Sequence, residues 1–201
     1  MGSLLRISRK CAMTEDEVIE RLRVRRANPV DRIDMKTLPV PPPYAAVPLS
    51  VVDASERALG VTFPVLLRRV YSEVGNGGFG PGAGLLGLVG GHPDADGRTL
   101  VERYQSLRGV GWREGLLPLF DWGDGTWSAA DTRTLTGGIV TADESGFTKT
   151  AFELGSWFLA WTEGTDLHSE IYEIEDATIV NPFTRKSMAI KRRGKAKGKL
   201  L

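Results

Sequence analysis

A single cysteine, Cys11, stands among the 201 residues. One thiol closes no internal disulfide, so a disulfide scaffold is excluded and a reducing compartment suits the chain. The only two histidines, His92 and His168, fall in loop-like settings, and with Cys11 they make no spacing that holds zinc. No run approaches the ~20 consecutive apolar residues of a membrane span. The N-terminal stretch brings Arg6, Arg9 and Lys10 after a very short apolar patch and so contains no secretory core. A cytoplasmic protein is the expectation. Also missing are the Gly-Lys-Ser/Thr of a phosphate loop and the G-x-S-x-G of a nucleophile elbow. The sequence therefore reads as a protein that is not an enzyme, with no catalytic residue, no cofactor and no metal ligand assigned.

What is present is ordinary in amount and uneven in placement. Apolar residues make up 41%, aromatics 8% and charged residues 25%, the averages of a globular protein with a real core. The net charge of +1 hides three segments. Residues 1–52 carry 9 basic and 6 acidic side chains, residues 53–181 carry 9 and 19, and residues 182–201 carry 8 and none. An acidic middle thus precedes a basic end, which bears on partners rather than on fold.

Thr14 followed by Glu17 is a capping box, and acids in the first turn with arginines in the last predict a helix over residues 15–27. Six of the 11 prolines fall in residues 28–48, whose fixed φ and missing N–H exclude regular helix, so an extended arm or surface strap is expected. Asp53 to Glu56 repeats the capping pattern, with Gly60 ending a short helix. Pro64 opens another, carrying Leu66, Leu67, Val70 and Val74 on one stripe and stopping at Gly75. After a glycine-rich break, residues 85–89 read as a buried strand and residues 98–108 as a helix. Short β-like runs at 116–122, 126–130, 138–141 and 147–152 predict an antiparallel meander, followed by a helix over 154–163. The expected core includes Leu66, Val70, Leu86, Leu88, Leu119, Trp157, Phe158 and Trp161. The fold class is α+β, an antiparallel sheet flanked by helices, with boundaries at 1–49 for the N-terminal helix and arm, 50–181 for the domain and 182–201 for a basic tail.

Three motifs invite chemistry. Gly82-Ala83-Gly84-Leu85-Leu86-Gly87 spells a dinucleotide fingerprint, but it follows a turn and enters a strand, whereas pyrophosphate binding needs a helix N-terminus. Asp121, Asp124 and Asp131 offer carboxylates, yet the position a calcium loop fills with glutamate is Thr132, and Asp124-Gly125 suits a tight hairpin turn. The basic run from Arg185 to Lys199 would neutralise phosphates, but it lacks an aromatic for base stacking. It reads as a solvated tail or one folding back on the acidic middle.

Leu59 to Pro64, then Asn76-Gly77-Gly78-Phe79-Gly80-Pro81-Gly82, Leu85 to Leu88, Pro118 to Gly125, Asp131, and the helix with Trp157, Phe158 and Trp161 resemble the signature of the SUKH superfamily, the cell-wall-assembly-regulator-like proteins. The likeness spans about residues 50–165. It implies a SUKH-like α+β fold without catalytic residues or cofactor, in which Pro64, Asn76, Gly77, Gly78, Gly80 and Pro81 are structural. It further implies an immunity protein that neutralises a cognate bacterial toxin, or else a regulatory or scaffold module. The acidity of the middle suits a basic, nuclease-type toxin. The expected partner is thus a protein, not a membrane or nucleic acid. Trp122 and Trp127 bracket the Asp124-Gly125 turn, so Asp121, Trp122, Asp124, Trp127, Asp143 and Glu144 are the expected interface, unless the tryptophans simply pack against the helices.

Overall fold

Helix α1 (Glu15–Ala27) begins where its capping sequence predicts, the Thr14 hydroxyl accepting the Glu17 N–H at 3.4 Å, in the computed structural model of the chain. The structure describes residues 14–27, 44–123, 125–180, 183 and 185–201; Cys11, Asp124 and the proline-rich residues 28–43 lie outside the described residues. Val18, Ile19 and Leu22 of α1 are buried in the common core. This helix, part of the segment read as residues 1–49, packs against the main body, because its i, i+1, i+4 aliphatic stripe needs a surface to cover.

Helix α2 (Leu49–Leu59) starts after Pro48 and ends at Gly60 with φ 68°. The expected cap at Asp53 is corrected: Asp53 and Glu56 lie inside the helix and pair with Arg68, while Glu56 also accepts the Phe63 N–H at 2.6 Å. Helix α3 (Val65–Arg69) continues as a π-helical turn over Val70–Val74, closed by the Gly75 N–H on the Val70 carbonyl at 3.0 Å. The wider turn buries Val70, Tyr71 and Val74 together.

The predicted strand at 85–89 is reduced to a single bridge, Leu85 to Phe120. Its other backbone groups go to scattered loop partners, such as the Leu85 N–H on the Phe79 carbonyl at 2.7 Å, and to two side chains: Tyr71 donates to the Leu86 carbonyl at 2.6 Å, and Asn76 accepts from the Leu88 N–H at 2.7 Å. Helix α4 (Leu100–Arg108) follows, capped by Thr99 and Glu102.

Strands β1 (Leu116–Gly123), β2 (Thr126–Asp131), β3 (Gly138–Asp143) and β4 (Gly146–Glu153) form the antiparallel meander. Helix α5 (Leu154–Thr162) lays Trp157 and Phe158 on Phe120, at ring separations of 6.0 and 5.9 Å. Trp161, expected in the core, is only half-buried, with Arg25 over its ring at 5.7 Å. A short helix, α6 (Leu167–Ile171), leads into β5 (Tyr172–Val180), β6 (Ser187–Ala196) and β7 (Lys199–Leu200). The sheet order is β1-β2-β3-β4-β7, and β5 and β6 form a separate two-stranded ribbon. The segment expected as a basic tail thus folds back: β6 pairs with acidic β5, with Asp176 opposite Lys191 and Glu175 opposite Arg192. No described helix is long and apolar enough to cross a membrane.

Candidate functional site: the hairpin end of the sheet

In an up-and-down meander the first and third turns share one end. Here the β1–β2 turn around Gly125 and the β3–β4 turn at residues 143–146 lie together, as the register Trp127 to Ala142 requires. Strand alternation then assigns faces. Phe120 and Trp122 point to the α5 side, where Trp122 meets Trp157 at 6.2 Å and donates its Nε1–H to the Ser128 hydroxyl at 2.8 Å. Trp127, opposite Asp121, points to the α4 side and is buried under Arg103 at 5.4 Å. The two tryptophans expected to form one exposed anchor are therefore separated by the sheet. Trp127 packs as core, and only Trp122 remains half-exposed.

The carboxylates divide the same way. Asp121 sits on the α4 side and accepts the Gly123 N–H at 2.8 Å, a turn of its own making. Asp143 sits on the α5 side, accepting the Ser145 N–H at 2.8 Å and the Tyr172 hydroxyl at 3.2 Å. Glu144 is exposed at the turn between them, and Asp124 lies outside the described residues.

Sequence reading missed the residues that close this end. Tyr172 is buried between His168, at a ring separation of 5.2 Å, and the Arg193 guanidinium at 5.1 Å. Burial and the neighbouring Asp143 charge push the Tyr172 phenol up, so it stays a hydrogen-bond donor. Arg193 also donates to the Thr126 hydroxyl, and His168 meets Trp122 at 5.7 Å. The base of the ribbon is thereby fastened to the end of the sheet. The only signal for this in the sequence was opposite charge, Glu175 and Asp176 against Lys191 and Arg192, mirrored about the turn.

No protein-family model matches this chain, and no curated protein sequence matches it. The Asn76 to Gly87 part of the family-like motif forms turns held by backbone and side-chain hydrogen bonds. Asn76 is buried, its Oδ1 accepting from Leu88 and its Nδ2 donating to the Val89 carbonyl at 3.1 Å. Gly77 and Gly78 adopt φ of 87° and 81°, and a Cβ on Gly77 would lie 2.5 Å from the Leu85 carbonyl oxygen. The Gly82 to Gly87 string is a turn beside β1, with Ala83 N–H on the Asp121 carbonyl at 2.8 Å, and the next helix begins only at Leu100. Among the described residues no three His, Cys, Asp or Glu side chains are placed to hold a metal ion.

Proposed function

We propose that this chain is a non-catalytic protein-binding domain that neutralises a cognate bacterial toxin, with a basic, nuclease-type partner. The observation that supports the reading is the acid rim of the hairpin end, where Asp121 on one face of the sheet, Asp143 on the other and Glu144 in the turn share an end with the half-exposed Trp122. A carboxylate rim beside an aromatic suits a cationic protein surface, and it steers such a partner in from a distance. The likeness to the SUKH superfamily favours an immunity role over other protein binding.

The test uses a toxin domain encoded beside this chain. Co-expression should restore growth, and the purified complex should associate more slowly as salt rises. Glu144→Lys is the most discriminating variant, since Asp121 and Asp143 also hold turns. It should slow association several-fold and leave the thermal midpoint unchanged. A complex whose association rate ignores both salt and Glu144→Lys would place binding elsewhere on the molecule.

A further inference from the structure

Three hydroxyls cross the α5 face of the sheet in one row. Ser128 of β2 stands opposite Thr141 of β3, and Thr141 opposite Thr148 of β4. Residues paired in this way bring their Cβ atoms to about 5 Å on one face. Trp127, next to Ser128, points to the α4 side, so by alternation the row lies on the α5 side with Trp122. Ser128 and Thr141 are 0% and 1% exposed. The Trp122 Nε1–H donates to Ser128 Oγ at 2.8 Å, so the row begins at the half-exposed ring of the candidate site.

Two polar atoms of this layer have no hydrogen-bond partner. Thr141 Oγ1 is one, and Nε1 of the fully buried Trp157 is the other. They come from opposite walls, strand β3 and helix α5. The Trp157 indole meets Phe120 and Trp122 of β1 at 6.0 and 6.2 Å, and Phe152 of β4 at 5.4 Å. A ring that touches the first and fourth strands of the sheet lies over the second and third, which carry Ser128 and Thr141. An indole N–H only donates, whereas a hydroxyl donates and accepts. Leaving both unpaired away from solvent is costly, and about nine in ten buried polar groups avoid it.

We infer that one ordered water sits between Trp157 and Thr141 and ties the hydroxyl row to the indole above it. The water accepts the Trp157 Nε1–H and the Ser128 hydroxyl proton, and it donates to Thr141 Oγ1. About three bonds are what a buried water makes. The chain of bonds then runs from Trp122 through Ser128 and the water to Thr141. It fixes the Ser128 hydroxyl with a lone pair toward Trp122, so Thr141 is a positioning residue for a ring it does not touch. This inference concerns how Trp122 is held and does not depend on what Trp122 meets.

A crystal structure of the full chain should show one water within about 3.2 Å of both Thr141 Oγ1 and Trp157 Nε1. Thr141→Val keeps the shape of the side chain and removes its hydroxyl. It should lower the thermal midpoint by about 2–4 °C. It should also move the indole N–H resonances of Trp122 and Trp157 and leave those of Trp112, Trp127 and Trp161 in place. Thr141→Ser retains the hydroxyl and should retain the wild-type Trp122 resonance. A hydroxyl without any partner would give the opposite sign, since removing it leaves the midpoint unchanged or raises it and does not disturb Trp122. That result, or a crystal structure with no water at this place, would overturn the proposal. A direct hydrogen bond between Ser128 and Thr141 would overturn it as well.

Discussion

Asn76 uses both ends of its amide on the backbone of the turn that follows it, and it is buried, so nothing in solvent replaces those bonds. Asn76→Asp keeps the size and turns the donor facing the Val89 carbonyl into an acceptor. The expected loss is about 2–4 kcal/mol in urea unfolding, and a neutral result would show the amide to be dispensable. Gly77→Val should be at least as damaging, because left-handed φ and the close Leu85 oxygen act together. Asp94 is the other demanding residue. Its side chain is fully buried; burial alone would push its carboxyl up, but Arg103 and the Arg98 and Asp96 N–H groups outweigh it and hold the pKa below the ordinary value. A depressed folded pKa means stability that is complete above the unfolded value, about 3.9, and is lost as pH falls through the folded one. Asp94→Asn should therefore cost about 3 kcal/mol at neutral pH, and the gap from wild type should shrink on acidification below pH 4 or so. A pH-independent gap would mean that the carboxylate charge is not what stabilises the loop.

At the scale of elements, legibility followed burial. Strands β1, β2 and β3 are buried along most of their length and so print short apolar runs bounded by turn residues, β4 alternates, and the predicted positions of the meander and α5 were within a residue or two of those observed. Residues 85–89 misled because a short apolar run looks the same whether its backbone pairs with a strand or is held by Tyr71 and Asn76. The ribbon was invisible for the opposite reason. Most of its residues stay exposed, so no apolar alternation marks it, and Lys, Arg, Ala and Gly in β6 are weak strand formers. A two-stranded ribbon is marginal unless something anchors it, and here the anchor is Tyr172 with Arg193. Tyr172→Phe should weaken the fold by about 1 kcal/mol, and adding Arg193→Ala should loosen the ribbon further. Hydrogen exchange is the measurement: protection should fall across β5 and β6 while β1 to β4 keep theirs. Equal loss in both sheets would show that the ribbon and the meander open as one unit.

Across the whole molecule, the segment charges mislead when each is imagined as a separate surface. The basic end pairs with β5 of the acidic middle, so the acid rim is what the hairpin turns hold, Asp121, Asp143 and Glu144. The candidate site was legible to that extent: its carboxylates could be named from turn chemistry, but which face each took depended on register, and the residues closing it came from a strand the sequence did not reveal. The N-terminal helix shows the same dependence on context. Arg26 leaves α1 to donate to the Val74 carbonyl at 2.5 Å and the Tyr44 carbonyl at 2.6 Å, packing against Gly75, and burial pushes its pKa down. Together with buried Val18, Ile19 and Leu22, this makes α1 part of the core. A chain beginning at Tyr44 loses three fully buried aliphatic side chains, on the order of 5–9 kcal/mol of burial. Domains of this size are stable by about 5–15 kcal/mol in total. The shortened chain should therefore show no cooperative melting transition at the wild-type midpoint, and adding residues 14–27 back as a separate peptide should raise its midpoint with peptide concentration. A shortened chain that melts as the full one does would mean that α1 is an appendage and that the boundary near residue 50 divides the molecule after all.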